Sequence, residues 1–414
     1  MANHKNDDKS FITNVRLLKM TGLYQVLNPV KSEGSTTLWG CNIYQLAHIL
    51  VTPLHVIIVI FCVIGFIAWT NDFNQRLNCC MLLVGAINTL LNAIRVGQKS
   101  DVIWKCFEIM RDDFLSYNYS KTDIVNDYKR KTVMITNIYS IAFCLILIIW
   151  LGNPVFITDF TVKNADGDLV TYRNSVINVL PYPFKIDLYN KLFPIIYIIE
   201  AVIFTQSVIG FIIFDSVLII FCWSIIAHLK TIASAYSSLG YEKIENESVT
   251  LIEKFKTIIS DHTKVISVMK DFFYTIRPII VAQIGIAACI LVCATYAYIA
   301  SYFNGMPIMS ATSMKYLSTA MFSVLRLFLL TKICGLVDNE VNSMNFSLYS
   351  CNWLDQDLSF QKLVLLSMTM NSVNMKTIMI TPMKNVDLKI FTSVLHMAYS
   401  IISVLLKKKL SEQN

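Results

Sequence analysis

Seven apolar stretches, at 43–69, 77–96, 132–151, 192–227, 276–303, 316–337 and 388–406, divide the chain. Each approaches the ~20 residues that a helix needs to cross a bilayer. None alternates apolar and polar residues as a barrel strand does. Backbone groups in hydrocarbon must be satisfied within the segment, so each stretch predicts a helix. The expected fold class is all-α, a polytopic membrane protein with seven transmembrane helices. The fourth stretch runs 36 residues. As a helix it would reach ~54 Å, against a hydrocarbon core ~30 Å thick. It is therefore expected to project past Asp215 into the following loop.

Composition supports the same reading. Of the 414 residues, 55% are hydrophobic and 15% charged. A soluble domain holds roughly 45–50% and roughly 25%. These figures exclude a chain of soluble domains, a disordered chain, a coiled coil and a collagen-like fibre. The net charge of +7 sits in the loops, and no nucleic-acid signature accompanies it, so it reads as a device of orientation. With the N-terminus inside, the inner segments carry 23 Lys and Arg and the outer ones 9; the run Lys407–Lys409 in the tail opposes this assignment. Met1–Lys19 is polar and has no apolar core of a cleavable signal, so the first apolar stretch is expected to direct insertion. Eleven cysteines are present and none lies in the loop 152–190. That argues against a disulfide framework and for buried thiols.

Two segments outside the spans carry information. In the loop 152–190, Asn153–Pro154 is expected to break the third helix and Asp166–Gly167–Asp168 to turn. The loop reads either as a lid over an outer cavity or as a solvated connector. In 354–375, Phe360, Leu363, Leu366, Met370 and Val373 recur at helical spacing as an amphipathic stripe. That helix either lies on the membrane surface or packs against other subunits.

No HExxH, GxSxG, Walker loop or CxxC occurs, so neither enzyme nor cofactor is indicated. Cys289 and Cys293, spaced four apart on an apolar helix, read as packing rather than as metal ligands. A transporter would show paired Pro/Gly breaks in two halves, which are missing here. A G-protein-coupled seven-helix chemoreceptor remains the alternative, with the opposite topology. It would end the third span with an Asp-Arg-Tyr-like triplet and carry Asn-Pro-x-x-Tyr in the last; this chain has Trp150–Leu151–Gly152 and no proline in the last span.

Gly335, Asn339–Glu340, Tyr349, Trp353 and Asp357, followed by Lys362–Leu366 and by Phe391, Ser393, Leu395 and Tyr399–Ser400, resemble in order and spacing the C-terminal region of insect odorant receptors. The resemblance covers the last fifth of the chain. The related gustatory receptors end with Thr-Tyr and a later Gln-Phe, whereas this chain has Ala398–Tyr399 and no Gln-Phe. The family's co-receptor has a much longer second inner loop than 228–271, so the resemblance implies a ligand-tuning subunit. It implies a ligand-gated, non-selective cation channel of four subunits, assembled with the co-receptor in the plasma membrane of olfactory sensory neurons, in contact with lipid and opened by a volatile small molecule. The last helix would be split into a cytosolic piece and a pore-lining piece. The resulting division is a cytoplasmic segment 1–42, a six-helix membrane domain 43–337 with an outer ligand cavity and cytosolic extensions, a cytosolic anchor segment 338–386, and a pore-lining helix with a short outer tail, 387–414.

Site residues follow from the same resemblance. Ile402, Leu405 and Leu406 fall on one helical face and match positions of the pore gate, where an apolar ring excludes water. Leu405 stands where co-receptors place Gln, and Ser400 and Ser403 are candidates for the polar face exposed on opening. Tyr349, Trp353, Asp357, Leu363 and Leu366 would anchor subunits. The cavity would draw on Cys80, Met81 and Val84 of the second span, Phe143, Ile146 and Trp150 of the third, and Tyr197, Ala201 and Phe204 of the fourth. Tyr296, Tyr316 and Ala320 would complete it. For each of these, ordinary helix packing is the competing explanation. Glu200 is a costly intramembrane acid, expected either to meet ligand or to bond a neighbouring helix. Arg326 is expected in a gating or structural ion pair.

Overall fold

The computed structural model describes residues 15–20, 37–38, 41–68, 73–111, 113–116, 122–163, 169–177, 186–241, 251–303, 305–374, 379–381 and 384–413. A short helix α1 (Val15–Met20) and two two-residue strands, β1 (Thr37–Leu38) and β2 (Cys41–Asn42), precede the bundle. The bundle comprises α2 (Ile43–Ala68), α3 (Phe73–Gln98), the short α4 (Ser100–Cys106), α5 (Thr122–Phe156), α6 (Ile186–Ser238), α7 (Leu251–Phe303) and α8 (Ala311–Tyr349). A hairpin of β3 (Asp159–Lys163) and β4 (Leu169–Arg173) joins α5 to α6. After α8 come α9 (Leu358–Asn374), the strands β5 (Met379–Thr381) and β6 (Lys384–Asn385), and α10 (Leu388–Gln413).

Over its described residues, each predicted apolar stretch lies in one of these helices. Six of the helices, α3, α5, α6, α7, α8 and α10, are long and apolar enough to cross a membrane over their described residues. In α2 the apolar part so described is His55–Ile67. The outer surface of α5 shows why such a chain needs lipid. Met134, Ile138, Ile141, Leu145 and Ile148 repeat at three- and four-residue steps, Val155 follows two turns on, and all are exposed. A continuous apolar stripe of that kind does not face water.

Both α6 and α7 are 53 residues long, or ~80 Å at 1.5 Å per residue. The fourth stretch thus projects well beyond Asp215, as its length requires. Burial concentrates at the projecting end: in α6 nearly every residue from Phe214 to Ile232 is buried, whereas from Ile186 to Ile203 only Tyr189, Ile196, Glu200 and Ile203 are. The main core accordingly joins Phe107 and Met110 to Tyr236 of α6, Phe255 and Met269 of α7, Met344 and Leu348 of α8 and Phe360 of α9. Gly240, at φ +82°, ends this part of α6. A Cβ there would meet the Asn352 carbonyl oxygen at 2.9 Å, and Asn352 donates its backbone N–H to the Leu239 carbonyl at 3.0 Å.

Helix starts follow capping chemistry. Ser310 accepts the Ser313 N–H at 3.2 Å at the head of α8. Asp357 accepts the Phe360 N–H at 3.3 Å before α9, and Asp387 accepts the Lys389 N–H at 2.9 Å before α10.

One local expectation needs correction. Asn153–Pro154 does not break the third span; α5 runs on to Phe156. Proline removes one helical donor, but so close to the end that the last turn still closes, with the Ile157 N–H on the Asn153 carbonyl at 3.1 Å. In α9 the buried side centres on Phe360 and Val364, and Leu366 and Met370 of the expected stripe stay exposed. Phe360 packs edge-on against the Phe255 ring, and this chain leaves Leu366 and Met370 uncovered. Asp166–Gly167–Asp168 and the side chain of Val373 lie outside the described residues.

Candidate ligand cavity

The described part of the segment between β4 and α6 is pulled into one end of the bundle, where Asn174, Ser175, Val176 and Ile177 are all buried. A set of polar groups holds it. Tyr189 donates to the Arg173 carbonyl at 2.9 Å, and the Asn174 amide donates to Asn153 Oδ1 at 3.0 Å. The Lys315 ammonium reaches the Val176 carbonyl at 3.3 Å. Ile177 is gripped on both sides: its N–H is donated to Glu200 Oε2 at 2.8 Å, and its carbonyl accepts from Asn78 Nδ2 at 3.2 Å. Buried backbone groups need such partners, and here they come from three different helices. The loop between α5 and α6 therefore ends as a plug.

Beneath Ile177 lies a cavity of about 130 Å³. Helices α2, α3, α5, α6, α7 and α8 all contribute to its wall. Its aromatic side is Phe143 and Trp150 of α5, Phe204 and Phe211 of α6, and Phe322 of α8. These rings brace one another: Phe143 meets Phe322 edge-on at 4.0 Å between centroids, and Trp150 stacks on Phe204 at 4.7 Å. The Lys315 ammonium sits 4.0 Å above the Trp150 ring, a cation–π contact that fixes the indole from outside.

The polar groups in the wall are already engaged. Thr319 Oγ1 accepts from Trp150 Nε1 at 3.1 Å and donates to the Lys315 carbonyl at 2.8 Å. Ser323 donates to the Thr319 carbonyl at 2.9 Å. Ser207 donates to the Ile203 carbonyl at 3.1 Å and lies 3.0 Å from His55 Nε2. At the inner end Arg326 forms a bidentate pair with Asp215, Nε to Oδ2 at 2.7 Å and a terminal nitrogen to Oδ1 at 3.1 Å. Tyr139 donates a short hydrogen bond to the same carboxylate, and the guanidinium lies 4.6 Å from the Phe211 ring centroid. Such a site offers an entering molecule shape and dispersion before hydrogen bonds.

A family model described as the 7tm odorant receptor matches residues 111–399. The chain belongs to this odorant receptor family. The receptor's fold is similar to that of the insect olfactory receptor OR5 from Machilis hrabei. The TM-score is 0.74 at 14% identity, over 94% of this chain and 97% of that one. It is similar as well to the structure of that OR5 in complex with eugenol, at a TM-score of 0.72 and 14% identity, over 95% and 98%. No curated protein matches the receptor's sequence. The family is one of receptors rather than of enzymes, and the receptor is a multi-pass membrane protein.

Of the residues singled out in the sequence, the receptor brings Met81, Phe143, Ile146, Trp150 and Phe204 to the cavity wall. The others lie elsewhere. Tyr197 donates to the Leu151 carbonyl at 3.0 Å, and Ala201 packs against Cys62, Val176 and Ile177. Tyr296 meets Phe73 edge-on, and Val84 is half-buried. Tyr316, Ala320 and Cys80 belong to the packing around Leu291 and Ala294. Glu200 stands behind the wall and acts through Ile177. Arg326 is in the ion pair expected of it and also forms the cavity floor.

The sequence reading missed Ile177, Phe211, Phe322 and Ser323. On α8 the face that opens on the cavity is Thr319, Phe322, Ser323 and Arg326. Helical spacing from Arg326, the costliest residue of that helix, would have found it.

Proposed function

We propose that the receptor is the ligand-tuning subunit of an odorant-gated, non-selective cation channel, in which a small volatile apolar molecule fills the cavity and α10 lines the pore. One observation carries this reading. Met81 and Trp150 of the cavity wall share a packed cluster with Leu291, Ala294 and Ala398, and Ala398 belongs to α10. A molecule that displaces the wall therefore pushes on the helix assigned to the pore. The eugenol-bound relative supports a ligand of this kind. So does the size of the cavity, since an apolar space of ~150 Å³ takes up benzene.

In the assembled channel, Ile402, Leu405 and Leu406 form the gate. In the single chain they are half-buried, while Tyr399, Ser403 and Val404 are exposed, a surface that the other subunits cover. Exposed Tyr349 and Leu366 serve the same assembly, with Trp353, Asp357 and Leu363 bracing them. The chain crosses the plasma membrane of an olfactory sensory neuron seven times with its N-terminus inside, and assembles with the family's co-receptor as a tetramer.

The test is whole-cell recording during pulses of short esters, alcohols and phenols, with the receptor expressed alone and with the co-receptor, and with G-protein signalling blocked. Current within milliseconds that needs the co-receptor is the expected result. An N-terminal epitope accessible on intact cells, together with responses that vanish under the block, would replace the channel with a G-protein-coupled receptor.

A further inference from the structure

Helices α3 and α7 meet along an antiparallel seam whose register is fixed at both ends. The Phe73 ring meets Tyr296 edge-on at 5.5 Å, and Arg95 Nε donates to the Thr275 carbonyl at 3.1 Å. Seven residues along α3 from Phe73 comes Cys80, and seven residues back along α7 from Tyr296 comes Cys289. The seam thus sets these two thiols opposite each other. Cys293, one turn from Cys289 on the same face, completes a group whose three Sγ atoms all lie within 4.8 Å of one another.

We infer that this sulfur triad is a binding site for one Cu(I) ion. Three thiol donors select a soft cation. Among the described residues no histidine or carboxylate joins them, so the ion is held by three sulfurs. Closed zinc sites take four ligands, whereas Cu(I), a softer ion of lower charge, accepts a trigonal set of sulfurs. At a metal–sulfur distance of ~2.3 Å trigonal sulfurs stand ~4 Å apart, so the group closes on the ion with a contraction of under ~1 Å. Cys293 is buried, while Cys80 and Cys289 are half-buried and leave an entry edge. One thiol proton leaves by that edge as the ion enters, so that Cu(I), one thiolate and two thiol donors are together neutral; loss of all three protons would leave a net charge of 2−, which is costly in apolar surroundings. The copper stays Cu(I) throughout.

Residues next to the triad give the site its consequence. Met81 follows Cys80 and Ile290 follows Cys289, and both line the cavity. Cys293 packs in the cluster that holds Ala398 of α10. A bound ion clamps α3 to α7 directly behind the cavity wall.

The experiment uses the full-length purified receptor under anaerobic conditions and does not depend on channel activity. Cu(I) is supplied in competition with the chelator bathocuproine disulfonate, and the native protein is then alkylated with N-ethylmaleimide and read by mass spectrometry. One Cu(I) retained per chain is expected, with alkylation of Cys80 and Cys289 slowed at least tenfold and that of exposed Cys144 unchanged. Cys293→Ser lowers retention at least tenfold, and Cys144→Ser leaves it at one. The protection measurement needs no variant, so it decides the matter even where Cys293→Ser fails to fold. Equal alkylation of Cys80 and Cys289 with and without Cu(I) would overturn the site. So would undiminished retention in a folded Cys293→Ser chain, or a disulfide joining Cys80 to Cys289 in the freshly purified protein.

Discussion

Glu200 holds Ile177 by its backbone: the carboxylate accepts the Ile177 N–H at 2.8 Å, and the Ile177 side chain closes the cavity beneath. A hydrogen bond to a charged group contributes about 1.5–3 kcal/mol, and an abandoned buried donor costs about as much. Glu200→Ala is therefore expected to loosen the plug and raise the half-maximal ligand concentration at least tenfold, with near-normal surface labelling. Glu200→Gln keeps an acceptor and should lie between the two. A dose–response series over the three forms checks this; equal sensitivity in all three would separate Glu200 from the cavity.

Arg326 and Asp215 form a buried pair with Tyr139 as third member. Removing one partner of such a pair typically costs about 3–5 kcal/mol, because the other charge is left alone. Arg326→Leu should abolish surface expression. The double change Arg326→Leu with Asp215→Leu should restore more of it than either single change, since neither charge is then stranded. Surface biotinylation of the four forms measures the coupling.

Tuning should follow the volume of the wall. Ile146→Val removes one methyl group's worth of wall at a cost to stability of about 0.5–1.5 kcal/mol. Apolar pockets discriminate a methylene by roughly 1–3 kcal/mol. The preferred member of a homologous ester series should lengthen by about one carbon, and Ala287→Leu should shorten it. Peak-current ranking across the series reads both shifts.

The two faces of α9 should separate folding from assembly. Phe360 is fully buried beside Phe255, with ring centroids 5.2 Å apart, and Phe360→Ala should cost about 3–5 kcal/mol and reduce total protein. Exposed Leu366 should tolerate Leu366→Glu as a monomer while co-purification with the co-receptor falls. Loss of total protein in Leu366→Glu would place that residue in the chain's own core instead.

The helices were legible because the signal that specifies them is local, in runs of apolar residues. The extension of α6 beyond Asp215 was legible from length alone. The cavity was half legible. Helical spacing groups Phe143, Ile146 and Trp150 correctly, since they share one face of one helix. Which face of α8 meets them depends on the rotation of that helix, and Tyr316 and Ala320 mark the neighbouring face. Ile177 was beyond reach, because its position comes from hydrogen bonds to Glu200 and Asn78, far along the chain. The stripe on α9 records every apolar position, whether the chain's own bundle covers it or not.

The two 53-residue helices give the receptor leverage. A rod ~80 Å long that tilts by 3° carries its far end through about 4 Å. The cavity meets α6 between a third and a half of the way along its length and α7 toward its C-terminal end, and the densest packing lies toward the opposite ends. A displacement begun at the ligand is resisted where the rods are wedged together, so the motion escapes sideways. Of the helices apolar enough to cross a membrane, the least buried over its described residues is α10, whose Tyr399 and Val404 are exposed. On the function proposed above, the stiffness of the long helices, rather than any flexibility in them, would deliver a small molecule's push to that helix.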